Sequence, residues 1–415
     1  MDNRIYYGEY TLKHWIDLIL KRNITLPPYQ RSFVWNKEDV IRFMQSLKDK
    51  QFVPPVTIAH YQADDCEENY ILDGQQRLTS LIIAFIGYFP NTEKFKEADI
   101  LGSDSDEYID YTGEEFDNNQ KKTIEWTFRE LLQYGNTPDE IKKRLTNHDK
   151  YIRLSEFDFD EQFFETTFIG FSFIIPDTTD KEAIQHSFSL TFRNINYFGS
   201  TLSLLESRKS LYFLNNTLEK FFDGKTSDNN DILCDLKILD NMQPHKIDFV
   251  RYLSTLSQYS IRETITDVLK GYSASKSREN YYADYVSYLV GLEQENNNNK
   301  FNGFEFNSTF PNEIWKERFR VIKDTIGNLK QSMNLVNGNS FKSWIDADYW
   351  LFGLIYIILF KKEEIAITTG LVNTIMQTIE SKKRDTNYTK TPNRLVYLRE
   401  RLIDSINIYQ ETYEN

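Results

Sequence analysis

The sequence predicts an α+β fold, in which a small mixed sheet with flanking helices is followed by an α-helical domain. Two observations lead to this prediction. Strand-like and helix-like apolar patterns alternate as far as about residue 205, whereas nearly every pattern after residue 222 has helical spacing. A chain of 415 residues is also long for a single core. We therefore expect one domain over residues 1–205, with an acidic insertion at about 91–150, and a second over residues 206–415.

The N-terminal domain is expected to begin with two helices. An apolar stripe over residues 10–22 predicts an amphipathic helix with Thr11 as its N-cap. Asn36 caps a second predicted helix, over residues 37–49. Other patterns in this domain predict strands over residues 23–26, 56–61, 70–72 and 168–175, and a helix over residues 78–86.

Acidic residues crowd the stretch from residue 91 to about 149, which we expect to be a surface insertion with helices at 121–134 and 139–145. A loop over residues 192–203 is expected to precede a long helix that begins near Ser203, and Asn196 and Gly199 suit a left-handed turn there. Further helices are predicted over residues 246–258, 261–270, 280–291, 311–333, 344–360, 364–380 and 394–411.

Several classes of protein are disfavoured by composition. The two cysteines, Cys66 and Cys234, have neither metal-ligand spacing nor a disulfide framework. The first residues lack the apolar segment of a signal peptide, and the longest apolar run, residues 349–360, is shorter than the roughly 20 residues that span a bilayer. We therefore expect a cytoplasmic protein without a membrane partner.

The net charge of −13 argues against a general polyanion binder, because nucleic-acid affinity depends on basic side chains that neutralise phosphates. Any DNA contact must therefore be local. The segment between Lys382 and Arg401 holds seven lysines and arginines against two acids, and it is the best candidate for such a contact. Basic runs of this kind are more often solvated faces, so that simpler interpretation stays open.

The most informative stretch is the polar cluster Asp73-Gly-Gln-Gln-Arg77, between a predicted strand and a predicted helix. Asp-Gly is turn chemistry, because glycine adopts backbone angles that other residues resist. The first amides of the following helix have no intrahelical acceptor and lie at the positive end of its dipole, which favours a bound phosphate. Arg77, one turn into the helix, can bind a phosphate with both arms of its guanidinium.

A simpler interpretation is a strand-to-helix turn in which Asp73 caps the helix. That interpretation leaves Gln75 and Gln76 unexplained, since a cap needs only one oxygen. A second polar stretch, Tyr29-Gln-Arg31, follows paired prolines that hold it extended on a loop. A simpler interpretation of this second stretch is that its side chains serve only for packing and solvation.

The order of these motifs resembles a known family. Pro28-Tyr-Gln-Arg31 and Trp35 precede the strand pair, then Asp73-Gly-Gln-Gln-Arg77, then Asn196, Gly199, Leu202, Ser203 and Glu206. Over roughly residues 5–215 this order resembles the N-terminal domain of GmrSD-type modification-dependent restriction enzymes, which also occurs in the SspE phage-defence protein. The family belongs to the ParB and sulfiredoxin-like superfamily.

The resemblance implies a ParB-like core that binds and hydrolyses a nucleoside triphosphate with Mg²⁺. It assigns catalysis to Asp73, Gln75, Gln76 and Arg77, nucleotide binding to Tyr29, Gln30, Arg31, Gly74, Thr79, Asn196 and Gly199, and the metal to Asp73. Phosphoryl transfer requires positioning and charge neutralisation, and these residue types can supply both. Arg77 and Arg31 would neutralise phosphate charge, Gln75 or Gln76 would orient water, and Asp73 would hold Mg²⁺ directly or through water.

Three related activities are not expected. A C-terminal nuclease of the His-Asn-His type needs a histidine to activate water, and no histidine follows His245. Sulfiredoxin chemistry needs a cysteine in the nucleotide loop, which contains none. No Walker-type phosphate loop is present in the sequence either.

Two functions remain as hypotheses. The first is a nucleoside-triphosphate-binding and hydrolysing module of a bacterial phage-defence or DNA-transaction system, whose helical half signals to DNA or to a partner effector protein. The second is a non-catalytic nucleotide sensor, or a DNA- or partner-binding protein, with the same fold. A nuclease that uses the acidic insertion is the weakest alternative.

Overall fold

The computed structural model describes ten ranges of the chain, which are residues 3–27, 32–63, 66–96, 124–155, 159–178, 180–198, 208–240, 242–273, 275–292 and 300–411. These residues fall into two compact units, one that ends at Phe213 and one that begins at Leu214. Each unit has its own buried side chains and is described separately.

The first unit alternates helices and strands, as expected of a mixed fold. In chain order its elements are β1 (Asn3–Thr11), α1 (Leu12–Leu20), α2 (Lys37–Lys48), β2 (Val56–Ala63), β3 (Cys66–Asp73), α3 (Gln75–Ile86), β4 (Tyr88–Pro90), α4 (Phe128–Leu131), α5 (Pro138–Leu145), β5 (Tyr151–Arg153), α6 (Glu161–Thr166), β6 (Phe168–Pro176) and α7 (Lys181–Phe198).

Four of the strands form one mixed sheet in the order β1-β6-β2-β3. β1 and β6 are antiparallel over nine residue pairs, from Asn3 opposite Pro176 to Thr11 opposite Phe168. β2 runs parallel to β6 and antiparallel to β3, and its register with β3 shifts between Thr57 and Ile58. The sheet therefore ends in β1 on one side and in β3, which leads into α3, on the other.

Local capping determines where the first two helices begin, as the sequence predicts. The Thr11 hydroxyl accepts a hydrogen bond of 3.1 Å from the His14 amide at the start of α1. At α2, the Asn36 and Asp39 side chains each accept from the other's backbone amide, which is a complete capping box. The predicted strand at residues 23–26 is reduced to an isolated bridge between Thr25 and Tyr70.

The core of the first unit differs from the expectation in one respect. Apolar side chains of α1, α2 and α3 share a single buried cluster with Trp126, Leu145 and Tyr151. The apolar side chains of the described residues between 124 and 150 are therefore part of the core, and the expectation of a surface insertion is wrong for this stretch. The acidic residues from 97 to 123 lie outside the described ranges.

The expected loop around residues 192–203 also differs. α7 continues to Phe198, so the backbone of Asn196 is helical and does not form the predicted left-handed turn. Gly199 and Ser203 lie outside the described residues. In the described part, the helix expected from Ser203 extends only to Lys209, and a turn follows.

The second unit is mostly helical, with a small sheet that the sequence analysis missed. Its elements are α8 (Asn216–Phe222), β7 (Lys237–Asp240), β8 (Gln243–Lys246), α9 (Phe249–Arg262), α10 (Ser275–Leu289), α11 (Phe306–Thr309), α12 (Trp315–Leu329), β9 (Ser340–Phe341), α13 (Trp344–Ile355), a π-helix (Tyr356–Lys361), α14 (Thr369–Lys383), α15 (Thr386–Lys390) and α16 (Leu395–Glu411). The three strands form one sheet in the order β8-β7-β9. Among the described residues, no helix combines the length and apolarity needed to cross a membrane.

A buried charge cluster joins three helices of the second unit. The Asp348 carboxylate in α13 accepts hydrogen bonds from Arg251 at 2.6 and 2.9 Å, from Arg401 at 2.8 Å and from the Tyr252 hydroxyl at 2.9 Å. Burial by itself would raise the pKa of Asp348, but the two guanidinium groups outweigh it and hold that pKa below its ordinary value. The cluster therefore remains charged and connects α9 and α16 to α13.

A side chain of α16 bonds the backbone of α13 shortly before a π-helix begins. The Ser405 hydroxyl accepts a hydrogen bond from the Gly353 amide at 2.8 Å and donates one to the Tyr349 carbonyl at 2.9 Å. In a regular α-helix that amide would bind that carbonyl directly. The Ser405 hydroxyl therefore bonds both of these backbone groups, and the chain continues as a π-helix from Tyr356.

We predict that Gly353→Ala destabilises the protein, although alanine is the better helix former. A Cβ at Gly353 would clash with the Ser405 carbonyl oxygen, so α13 and α16 would have to move apart. Overpacking of this kind costs about 2–3 kcal/mol in the free energy of unfolding, which urea denaturation measures.

The matched control is Gly327→Ala in α12, where a Cβ would meet open space. That variant should be unchanged or more stable by up to about 1 kcal/mol. Equal free energies of unfolding for the two variants would contradict the proposed contact.

Candidate functional site

The polar cluster lies where β3 ends and α3 begins. Gly74 has a φ of 97° and occupies the N-cap position, a left-handed conformation that favours glycine. A Cβ there would also lie only 3.0 Å from Cγ2 of Val56. The N-cap residue is Gly74, which supplies no side-chain cap, so the alternative in which Asp73 is the cap of α3 is wrong. The N-cap residue of α3 therefore offers no side-chain oxygen to the first amides of the helix.

Arg77 holds the junction together. One guanidinium nitrogen, Nη2, donates to the Asp73 carboxylate at 2.7 Å. The other, Nη1, donates to the backbone carbonyls of Pro54 and, at 3.3 Å, of Pro55, just before β2. The Arg77 side chain is only 11% exposed, whereas that of Asp73 is 32% exposed. The two charges thus neutralise each other at the start of α3.

Gln76 has a structural partner at each end of its amide. Its Oε1 accepts a hydrogen bond of 3.0 Å from the Val34 amide, and its Nε2 donates one of 3.3 Å to the Ser32 carbonyl. The side chain is buried. Gln76 therefore anchors the segment that follows Tyr29, Gln30 and Arg31, and each end of its amide bonds one backbone group in this state.

The other predicted site residues are distributed as follows. Gln75 is buried beside Gln76, and Thr79 is fully buried one turn later. Because Thr79 is fully buried, it contacts no solvent in this conformation. Its hydroxyl has no hydrogen-bond partner in the described part of the chain. Asn196 lies near the C-terminal end of α7. Tyr29, Gln30, Arg31 and Gly199 lie outside the described residues.

The structure thus brings Asp73, Gly74, Gln75, Gln76 and Arg77 together with partners that the sequence analysis did not identify. These partners are backbone groups of Ser32, Val34, Pro54 and Pro55. One signal was present for Pro54 and Pro55: proline has no N–H and disfavours pairing in a sheet, so paired prolines mark a stretch whose carbonyls can accept from side chains.

Within the described ranges, no three His, Cys, Asp or Glu side chains are grouped as a metal site. Asp73 offers one carboxylate, and its Oδ2 already accepts from Arg77. An Mg²⁺ ion commonly takes one or two protein carboxylates and otherwise water and phosphate oxygens, so a single Asp73 fits that mode of binding.

The basic segment between Lys382 and Arg401 is largely committed to contacts inside the second unit. Lys382 pairs with Glu400, Lys383 with Asp346 at 2.5 Å, and Arg401 with Asp348. Arg399 donates to the backbone carbonyls of Thr266 and Val268. Only three of its basic side chains are exposed, namely Arg384, Lys390 and Arg394.

The first unit is an α/β domain whose strand-to-helix junction carries a paired arginine and aspartate. Residues 12–213 match the family described as GmrSD restriction endonuclease, N-terminal domain, and this part of the chain belongs to that family. The resemblance seen in the sequence is thereby confirmed, and the first unit is a domain of a restriction-enzyme family.

Other comparisons cover less of the chain. It is 34% identical over 103 residues to an uncharacterized protein of Methanocaldococcus jannaschii, a match that covers 19% of this chain and 17% of that protein. The chain thus spans less than a fifth of this relative. No solved structure matches the chain.

We predict that Gln76→Met lowers the stability of the first unit. The substitution keeps the length of the side chain but leaves the Val34 amide and the Ser32 carbonyl without their partner. The expected loss is about 1–3 kcal/mol in the free energy of unfolding, measured by urea denaturation.

Gln133→Met is the matched control, because Gln133 is exposed and bonds only Glu130 on the surface. Its effect should stay within about 0.5 kcal/mol. If Gln76→Met were equally mild, Gln76 would not anchor residues 32–34.

Proposed function

We propose that the first unit binds a nucleoside triphosphate at the loop from Asp73 to Arg77 and hydrolyses it, as a module of a bacterial phage-defence or DNA-transaction system. The observation that carries the proposal is the pairing of Arg77 with Asp73 at the start of α3, a helix whose N-cap residue is Gly74. Membership of a restriction-enzyme domain family supports the biological setting.

The site chemistry suits phosphoryl transfer once the pair opens. Arg77 would then turn its fork from Asp73 to a phosphate, and the first amides of α3 would bind the same group. Asp73 would be released to hold Mg²⁺, which neutralises phosphate charge when bound. In this proposal Gln75 would orient water after exchanging a present partner for it, while the Gln76 amide keeps its two backbone hydrogen bonds.

Gln76 then acts as a positioning residue. Its two hydrogen bonds hold residues 32–34 against α3, and the Tyr29-Gln-Arg31 stretch directly precedes them in the chain. Tyr29, Gln30 and Arg31 themselves lie outside the described residues, and their assignment to nucleotide binding follows from the family resemblance. Asn196, Gly199 and Thr79 stay assigned to nucleotide binding by the family resemblance alone.

A second function, a nucleotide sensor without turnover, is favoured by a different observation. Arg77 is almost fully buried by its present partners, and a ligand must displace them before its guanidinium can act. A ligand that breaks these contacts changes the local structure, and such a change can act as a signal without catalysis. For DNA or a partner effector protein, the exposed Arg384, Lys390 and Arg394 are the proposed contacts.

We predict that the chain releases more than one phosphate per molecule from ATP, GTP, CTP or UTP with Mg²⁺, and that Arg77→Lys and Asp73→Asn each reduce this turnover by at least about 100-fold. Arg77→Lys keeps the positive charge but loses the planar guanidinium that can bind two phosphate oxygens at once. Asp73→Asn keeps an acceptor oxygen but loses the negative charge. Phosphate release and calorimetric binding should be measured together, with and without DNA.

Arg144→Lys is the control, since Arg144 is exposed on α5. Its turnover should equal that of the wild type. Binding without turnover would establish the sensor, and no binding of any nucleotide would refute both functions. Cleavage of supercoiled plasmid DNA would instead support a nuclease.

A further inference from the structure

β1 forms one edge of the four-stranded sheet. It is hydrogen-bonded to β6 along one side, and among the described residues no strand or bridge pairs with its other side. Its nine pairs with β6 continue without a register shift, so the free side is straight and long. Such an edge presents a row of unpaired amides and carbonyls to another strand.

The side chains of β1 are unusually apolar for an exposed edge. Ile5 is 48% exposed, Tyr6 50% and Tyr7 76%, on both faces of the strand. Proteins normally protect such edges with proline, lysine, a bulge or a short strand, and β1 has none of these between Asn3 and Thr11. A strand of this composition is suited to pairing.

The opposite edge of the sheet is protected. Thr25 covers the outer side of β3, accepting from the Ile71 amide at 2.9 Å and donating its own amide to the Asn69 carbonyl at 2.9 Å. The remaining part of β3 carries Glu67 and Glu68. Head-to-tail joining of β1 to β3 is therefore disfavoured, which favours a closed pair of β1 strands.

We propose that β1 pairs antiparallel with β1 of a second copy of this chain, with Tyr6 opposite Tyr6 at a two-fold axis. Such a pair joins two four-stranded sheets into one continuous sheet. In an antiparallel pair, two directly opposite residues have their side chains on the same face of the sheet. Because side chains alternate between the faces along a strand, the numbers of two opposite residues from identical copies must differ by an even number. The Tyr6 register meets this condition.

The chemistry of that register is complementary. Ile5 lies opposite Tyr7 of the second copy, an aromatic and β-branched pair that stabilises sheets. Arg4 lies opposite Gly8, whose side-chain space is filled by the ring of Phe171, so the guanidinium can cover that ring. Glu9 lies opposite Asn3, and no like charges face each other.

We expect the full chain to be a dimer by light scattering after size exclusion, across a dilution series. Tyr6→Lys would place two lysines opposite each other at the axis, and should weaken the dimer by at least about tenfold. Phe52→Lys is the control, because Phe52 is 87% exposed outside the sheet. A monomeric wild type, or a dimer insensitive to Tyr6→Lys, would overturn the proposal.

A cysteine cross-link tests the register without disturbing the fold. Directly opposite residues in an antiparallel pair have Cα atoms about 4.5–5.5 Å apart, within the range that a disulfide bridges. Oxidised Tyr6→Cys should therefore give a covalent dimer, whereas Arg4→Cys, whose two copies would be about 13 Å apart along the strands, should not. The wild type, with its own two cysteines, measures the background. Cross-linking through Arg4→Cys in preference to Tyr6→Cys would refute this register.

Discussion

The contacts of Arg77 determine the geometry of the candidate site. Its guanidinium joins three separate pieces of chain: the end of β3 at Asp73, the first turn of α3, and the Pro54-Pro55 carbonyls before β2. A nearly buried charge requires such partners, because an unpaired one would carry a large desolvation cost. The contacts also reinforce the left-handed turn at Gly74, since the junction cannot open while Arg77 bridges it.

The same contacts make ligand binding and local structure interdependent. A phosphate that takes Arg77 must replace the Asp73 carboxylate and the two carbonyls, so part of the binding energy is spent on opening the junction. Asp73 is then released while negative charge arrives, which favours a cation beside it. Gln76, by contrast, holds residues 32–34 through neutral hydrogen bonds that a phosphate does not contest. The contacts of Arg77 must therefore open when a phosphate binds, whereas the hydrogen bonds of Gln76 can stay in place.

Much of the first unit was predictable because its signals are local. Thr11 and Asn36 cap helices through side chains that bond within three residues, and the Asp-Gly turn needs only its own glycine. β1 was missed because Ile5, Tyr6 and Tyr7 are all exposed and lack the alternation of a half-buried strand. The backbone partners of Gln76 and Arg77 were missed because each of these contacts spans more than 20 residues in the chain and depends on how the sheet is arranged.

Long-range packing also explains why charge patterns mislead in the second unit. The run between Lys382 and Arg401 has the composition of a phosphate-binding surface, yet α14 and α16 use four of its basic residues internally. Asp348 in particular binds two of the buried guanidinium groups of this unit, and together they outweigh the burial that would raise its pKa. The exposed positive charge that remains is small beside the net charge of −13. A phosphate partner of this unit must therefore be recognised by the geometry of a few side chains, since the overall electrostatic field repels it.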